Sequence, residues 1–86
     1  MKKTILIVED EYQIRKDIEL ILQMNDFDTI SAENGSEALK MLENVTPDLI
    51  VSDIMMPVMD GFQLLEEVQK NQELINIPFL FLTAKT

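Results

Sequence analysis

The stretch PDLIVSDIMMPVMDG, residues 47–61, decides the fold of this chain. A short apolar run at residues 49–51 follows a proline and leads through a serine into Asp53. Such runs are typical of strands buried on both faces of a parallel sheet, so we predict a strand over residues 48–52. Asp53 then stands where that strand ends, which is where ligands and chemistry collect in open parallel sheets. A carboxylate in that position needs a partner that offsets its desolvation.

Strands and helices alternate along the rest of the chain. Apolar runs predict further strands over residues 4–8 and 77–83, and an alternating pattern predicts a strand nearer the sheet edge over residues 27–32. Helical spacing of apolar residues predicts helices over residues 12–25, 36–44 and 61–71. The order βαβαβαβ predicts a single α/β domain over residues 1–86, with a parallel sheet, right-handed crossovers and helices on both faces.

The spacing within each predicted helix indicates which side faces the sheet. The first helix carries an apolar stripe of Ile14, Ile18, Ile21 and Leu22, and its other face carries Arg15, Lys16, Asp17 and Glu19. In the last helix, the apolar side is predicted to be Phe62, Leu65 and Val68. Asn34 with Glu37, and Asp60 with Gln63, have the spacing of helix N-caps.

Composition narrows the classes of function. The 86 residues are 47% apolar, which supports a folded core, and no apolar run approaches the roughly 20 residues that cross a bilayer. With a net charge of −9 we expect no direct nucleic-acid binding by this chain, because phosphates would repel it. The chain has no cysteine and no histidine, so we expect a cytoplasmic location and no disulfide or zinc–histidine site.

Three acidic residues follow the ends of two predicted strands. Glu9 and Asp10 come directly after the first strand, and Asp53 comes after the third. If these strands are neighbours, the carboxylates meet at one edge and Mg²⁺ would remove their mutual repulsion. Thr83 would bring a hydroxyl to the same edge. Taken singly, Glu9 and Asp10 are also compatible with solvated loop acids or with charges favourable to a helix N-terminus.

Three motifs resemble the receiver domain of bacterial two-component response regulators. They are ILIVEDE at residues 5–11, PDLIVSDIMMPVMDG at residues 47–61 and PFLFLTA at residues 78–84, in the family's order and spacing. The resemblance spans essentially the whole chain. It implies a flavodoxin-like, doubly wound parallel sheet with its site at the topological switch point.

The resemblance also implies a role for each matching residue. Asp53 corresponds to the phosphoacceptor, which takes a phosphoryl group from a histidine kinase, and phosphorylation would change a partner-binding surface. The implied Mg²⁺ ligands are Glu9, Asp10, Asp53 and the backbone carbonyl of Met55. Thr83 corresponds to the switch hydroxyl and Ala84 to the small residue that leaves room for the phosphoryl group.

The family's pattern continues beyond what this sequence contains. It has a fourth helix, a fifth strand ending in a lysine, an aromatic switch residue and a fifth helix, and Lys85 does not occupy that lysine's position. The chain therefore resembles a C-terminally truncated receiver, with impaired phosphotransfer and output. We expect an under-covered sheet face and an open edge strand, completed by self-association or by exchange of elements between chains. A purely structural, assembling module is the alternative.

An enzyme is a second alternative. Aspartyl-phosphate phosphatases of the haloacid-dehalogenase type also use an aspartate at a strand end, within a D-x-D motif. This chain has D-I-M at residues 53–55 and no second aspartate to act as the acid. We therefore expect that the chain is not an enzyme.

Overall fold

The computed structural model describes residues 1–82, so Thr83 and Ala84 lie outside the described residues. The predicted βαβαβαβ order is confirmed, and all three strand pairs are parallel, in the spatial order β2-β1-β3-β4. The elements are β1 Thr4–Val8, α1 Tyr12–Met24, β2 Asp28–Ala32, α2 Gly35–Leu42, β3 Leu49–Asp53, α3 Gly61–Gln69 and β4 Phe79–Leu82.

The boundaries differ from the predictions by one or two residues at individual ends. The difference that matters is in β3, which includes Asp53 as its last residue, paired with Leu82 of β4. The predicted strand over residues 77–83 begins later, because Ile77 closes a turn by donating its N–H to the Leu74 carbonyl at 3.0 Å. The side chain of Leu74 is buried in the core, a contribution from a connection that periodicity did not indicate.

The sheet has two faces, which differ in how they are covered. Alternate strand residues point to opposite sides. The first side, which we call the two-helix face, carries Leu6, Val8, Ile50 and Phe79 and packs against α2 and α3. The second side, the one-helix face, carries Ile5, Ile7, Val51 and Leu80 and is covered by α1.

The orientation of α3 corrects one prediction. The buried residues of α3 are Gly61, Leu64 and Val68, whereas Phe62 is exposed at the surface. The phase of the helix follows from Gly61, which lies so close to the end of β3 that a Cβ atom there would be 2.3 Å from the Asp53 carbonyl oxygen. Phe62 then falls beside the sheet, where its ring lies 5.0 Å from that of Phe81.

Helix α1 covers the one-helix face incompletely. It contacts β1 and β2, and Gln23 donates a 2.9 Å hydrogen bond to the Thr29 hydroxyl of β2. Residues two apart point in nearly opposite directions around a helix, so Ile21 is on the flank away from β2. Ile21 is 59% exposed, although it was predicted in the apolar stripe, and Leu80 of β4 is 56% exposed. The expected under-covered face is therefore present in the described chain.

Helix α1 ends in a Schellman arrangement. The Phe27 N–H donates to the Leu22 carbonyl at 3.1 Å, and the Asp26 N–H donates to the Gln23 carbonyl at 3.2 Å. Asp26 has a φ of 70°, in the left-handed region that aspartate tolerates better than most residues. This turn leads directly into β2.

Candidate functional site

The carboxyl ends of β1 and β3 bring the three predicted acids together. The two strands are neighbours, with Val8 paired to Ser52, so Glu9 and Asp10 leave β1 beside Asp53 at the end of β3. One carboxylate oxygen from each of the three residues lies within 4.8 Å of the others. Two of the three side chains, those of Glu9 and Asp53, are buried, while Asp10 is exposed. The topology alone is sufficient to create this cluster.

Glu9 is the most buried member of the cluster, with 1% of its surface exposed. Its Oε2 accepts a 3.0 Å hydrogen bond from the Glu11 N–H. Its Oε1 is the buried side-chain atom within residues 1–82 that has no hydrogen-bond partner. Burial raises the pKa of the Glu9 carboxyl; the Glu11 N–H opposes this rise, and the negative charges of Asp53 and Asp10 add to it.

Asp53 is held by its own backbone surroundings. It is 6% exposed, and its Oδ1 accepts a 2.8 Å hydrogen bond from the N–H of Ile54. The buried Ser52 hydroxyl donates to the Asp53 carbonyl at 2.8 Å. These contacts orient one carboxylate oxygen and the main chain of Asp53.

The loop from Asp53 to α3 is anchored at both ends. The Gly61 N–H donates to the Ile54 carbonyl at 2.9 Å, and Gly61 accommodates the close approach described above because it has no side chain. Within the loop, the Met59 N–H donates to the Pro57 carbonyl at 2.8 Å around Val58, whose φ is 73°. This is a γ-turn with a β-branched residue in the left-handed region, a strained arrangement.

The two predicted N-caps are present. The Asn34 side chain accepts from the Glu37 N–H at 2.8 Å. Asp60 and Gln63 form a reciprocal capping box, in which each side chain accepts from the other residue's N–H, at 2.8 and 2.9 Å. Asp60 is therefore engaged at the start of α3 and does not belong to the acidic cluster.

Arg15 is a further residue whose position was predicted wrongly. It was grouped with the solvated face of the first helix, but it is half-buried and its Nη1 donates a 2.8 Å hydrogen bond to the Glu9 carbonyl oxygen. Arg15 is the chain's one arginine and follows the acidic pair by one helical turn. That position is the sequence signal that could have identified it.

The remaining predicted site residues are not brought into the cluster by a described contact. Met55 lies two residues after Asp53 in the loop, with its side chain exposed, and the role of its carbonyl stays a prediction. Thr83 and Ala84 follow β4 outside the described residues. A cleft of about 520 Å³ lies between the C-terminal ends of α2 and α3, but its lining includes none of the three acids.

The donor set of the cluster fits a hard divalent cation. The three side chains offer carboxylate oxygens, which Mg²⁺ prefers, and the buried Glu9 Oε1 has no protein partner of its own. Without a cation, a buried glutamate close to two other carboxylates is destabilised by desolvation and repulsion. The residues present therefore suit Mg²⁺, bound through one or two carboxylates and water.

A family comparison agrees with this arrangement. The family model described as the response regulator receiver domain matches residues 5–86. The chain belongs to this family. One domain type therefore accounts for the receiver motifs, the parallel sheet and the acidic cluster of this chain.

Curated relatives of this receiver domain include longer regulatory proteins. The chain is 41% identical over 85 residues to the alkaline phosphatase synthesis transcriptional regulatory protein PhoP of Bacillus subtilis, covering 99% of this chain and 35% of that protein. It is equally identical over 85 residues to the probable transcriptional regulator ycf29 of Pyropia yezoensis, covering 99% of this chain and 38% of that protein. The chain spans little more than a third of the length of either relative.

Solved receiver structures superpose closely on this one. The chemotaxis response regulator CheY4 of Vibrio cholerae has a TM-score of 0.94 and 32% identity, over 100% of this chain and 72% of that one. The receiver domain of sensor histidine kinase PA1611 from Pseudomonas aeruginosa has a TM-score of 0.93 and 27% identity, over 99% of this chain and 70% of that one. The latter structure is described with a magnesium ion coordinated in its active-site cleft.

Within residues 1–82, no helix has the length and apolar character required to span a bilayer.

Proposed function

We propose that this receiver domain is a phosphoacceptor, in which Asp53 takes a phosphoryl group from a histidine kinase with the help of Mg²⁺. The observation that carries the proposal is the cluster of Glu9, Asp10 and Asp53, with carboxylate oxygens within 4.8 Å of one another at the carboxyl edge of the sheet. Asp53 is the member that ends a buried strand and is oriented by its own loop.

Glu9, Asp10 and Asp53, with the Met55 carbonyl, would hold the cation. When bound, Mg²⁺ neutralises the carboxylates and the developing charge on the phosphoryl oxygens. The fit rests on the oxygen donors and on the unpartnered Glu9 Oε1.

The two carboxylate oxygens of Asp53 have different roles in the proposed reaction. The Ile54 N–H occupies Oδ1 of Asp53, which leaves Oδ2 as the nucleophilic oxygen. A bond forms between Oδ2 and phosphorus as the bond from phosphorus to the donor breaks, and the product is an acyl phosphate on Asp53.

The phosphoryl donor must lie outside these 86 residues. The chain contains no histidine, so it cannot form the phosphohistidine itself. A histidine kinase is therefore the proposed partner, and the chain is the modified substrate rather than an enzyme. The added charge of about −1.5 to −2 then provides the change to which a partner surface responds.

The test is phosphorylation with a small-molecule acyl phosphate in the presence of Mg²⁺. Intact-mass analysis should show one added phosphoryl group that is stable in acid and lost in base. Asp53→Asn should abolish the addition. Asp60→Asn is the matched control: the same substitution seven residues away keeps the helix cap, because asparagine and aspartate cap equally well.

Two results would contradict the proposal. One is labelling that persists in Asp53→Asn, since the phosphoryl group would then be on another residue. The other is labelling of the wild type that is independent of Mg²⁺ after chelation, since the acidic cluster would then have no part in the reaction.

We further propose that the 86-residue polypeptide self-associates through the one-helix face. Leu80 and Ile21 are more than half exposed there, and Leu20 and Met24 extend the apolar surface along α1. In the described chain β4 has one strand neighbour, β3, so its other edge is open. A second copy can cover both features through a two-fold contact, in which the same patch on each chain meets the other.

Sedimentation analysis across a concentration series tests this proposal. Association should strengthen with added salt, because copies of net charge −9 repel one another and salt screens the repulsion. Leu80→Glu should shift the protein to monomer, whereas Val45→Glu, a change at an exposed apolar residue between α2 and β3, should not. A wild type that stays monomeric at every concentration would contradict the proposal.

A further inference from the structure

Arg15 connects the start of α1 to the acidic cluster. Its side chain reaches back over the first turn of the helix, and Nη1 donates to the Glu9 carbonyl oxygen at 2.8 Å. The guanidinium also lies against the Tyr12 ring, with 5.5 Å between Cζ and the ring centroid. Neither contact is to a carboxylate: among the described residues, Arg15 forms no salt bridge.

The main chain of Glu9 is held from two sides. Its N–H donates to the Ala32 carbonyl of β2 at 3.1 Å, which extends the strand ladder by one residue. Its carbonyl accepts from Arg15. Removal of the arginine would take away the described protein partner of this carbonyl. The loss matters because Glu9 is almost completely buried, and an unpaired buried backbone group is costly.

The Glu9 carbonyl lies in the peptide plane that joins the two acids of the β1–α1 loop. The peptide unit is rigid and planar, so a hydrogen bond to its oxygen sets the orientation of the Glu9 C=O and the Asp10 N–H together. A rotation of that plane would move both side chains relative to Asp53. The hydrogen bond from Arg15 therefore acts on the geometry of two of the three clustered carboxylates.

We propose that Arg15 is a positioning residue for the cation site, which holds the Glu9–Asp10 peptide plane in the orientation that binds Mg²⁺. The inference rests on the proposed phosphoacceptor function and its cation. Arginine suits the role better than lysine, since its planar guanidinium can stack on Tyr12 and donate in a fixed direction at the same time.

Electrostatics and positioning predict opposite signs for the loss of this side chain. A positive charge near a divalent cation repels it, so removing Arg15 would tighten Mg²⁺ binding if charge were the dominant effect. If Arg15 orients the site, its removal weakens binding, as happens when groups that orient metal ligands are lost. The sign of the change therefore distinguishes the two effects.

The experiment is calorimetric titration of MgCl₂ into the wild type, Arg15→Ala, Arg15→Lys and Lys16→Ala. We expect Arg15→Ala to weaken Mg²⁺ binding about tenfold, at the lower end of the range for lost outer-shell partners. Arg15→Lys, which keeps the charge and one donor, should fall between it and the wild type. Lys16→Ala is the matched control, because Lys16 has the same charge and lies 5.6 Å from the same Tyr12 ring but forms no hydrogen bond to Glu9.

A second measurement excludes a merely structural role. Phosphorylation by a small-molecule donor is followed as a function of MgCl₂, with urea unfolding of each variant as a check of folding. Positioning predicts that saturating Mg²⁺ restores the rate in Arg15→Ala, so that the defect is in the Mg²⁺ concentration required. Arg15→Lys supplies the same comparison if the alanine variant does not fold.

The outcomes separate this inference from the proposed function. If the wild type binds Mg²⁺ and both Arg15 variants bind it as tightly or more tightly, the positioning role of Arg15 is wrong while the cation site stands. If the wild type itself binds no Mg²⁺, the proposed cation site is wrong and the inference falls with it.

Discussion

The two faces of the sheet differ in what covers them. On the two-helix face, α2 and α3 enclose Leu6, Val8 and Ile50 in a cluster with essentially no solvent contact. On the one-helix face, α1 lies over β1 and β2 and leaves Leu80 and Ile21 open. The strands themselves are equally apolar on both sides, so the difference lies in the helices.

The face that contributes more to stability is not the face on which Asp53 lies. Apolar burial contributes roughly 25 cal/mol per Å² removed from water, so the two-helix face contributes more to stability than the open part of the other face. Asp53 belongs to the same alternating set of β3 residues as Val51, on the one-helix side. The acidic cluster is therefore at the carboxyl end of the one-helix face, and the better packed two-helix face lies on the other side of the sheet.

The largest expected effect is a contrast between one leucine on each side. Leu64 of α3 is fully buried against the two-helix face, so Leu64→Ala should lower the free energy of unfolding by about 2–5 kcal/mol. Leu80→Ala removes a half-exposed side chain and should cost about 1 kcal/mol or less. Urea unfolding curves at protein concentrations low enough for the monomer measure both costs, and equal costs there would contradict the exposure of Leu80.

A smaller effect is expected where α3 meets β3. A Cβ at Gly61 would be 2.3 Å from the Asp53 carbonyl oxygen, which is backbone and cannot easily move. Gly61→Ala should therefore cost about 1–3 kcal/mol and should disturb Asp53. At Gly35 the nearest approach of an added Cβ would be 2.8 Å, to the Cγ of Met59, so the overlap is milder and Gly35→Ala should cost less. Urea unfolding measures the costs, and the acyl phosphate assay reports Asp53; a larger cost at Gly35 would contradict the packing described.

The third prediction concerns how the stability of the fold depends on pH through Glu9, which follows β1 at the carboxyl edge of the sheet. Because the pKa of Glu9 is raised by burial, the folded protein binds its proton more tightly than the unfolded chain does. The stabilisation from Glu9 is present at low pH and is lost as the pH rises through the raised pKa. In EDTA at neutral pH, Glu9→Gln should therefore melt a few degrees higher than the wild type.

Two observations check that sign. The difference in melting temperature between Glu9→Gln and the wild type should shrink as the pH is lowered and both side chains become neutral. Mg²⁺ should stabilise the wild type and have little effect on Glu9→Gln, since a ligand that binds the folded state raises its stability. A variant that is less stable than the wild type in EDTA at neutral pH would contradict the assignment.

The smallest expected effect concerns backbone strain at the edge of the site. Val58 has a φ of 73°, which a β-branched residue adopts at a cost of about 1–3 kcal/mol. Val58→Gly should stabilise the fold by about 1 kcal/mol, after roughly 0.5–1 kcal/mol is lost to the added flexibility of the unfolded chain. Asp26→Gly, at a similar φ of 70°, should gain less, because aspartate tolerates this region. Thermal unfolding measures both; a loss of stability in Val58→Gly would show that the γ-turn is not strained.

The acidic cluster could be predicted from the sequence because it depends on topology more than on detail. Apolar runs identify β1 and β3, and carboxylates that follow neighbouring parallel strands must meet at one edge. Helix starts were equally predictable at Asn34 and Asp60, since capping is a contact between residues three apart in the chain. Local contacts of this kind can be predicted directly from the order of the residues.

What the tertiary structure decided depends on contacts between segments far apart in the chain. Helical periodicity could not choose between Phe62 and Leu64, because the phase of α3 is set by the approach of Gly61 to the Asp53 carbonyl. It could not show that Ile21 would be exposed, because exposure depends on which neighbouring element is present. Nor could it identify Arg15, which looks like a surface charge until the helix turns it back onto the Glu9 carbonyl. The sequence by itself determined the elements, their order and the meeting of three carboxylates, whereas packing across the sheet decided which side chains those elements bury and which contacts hold the site in place.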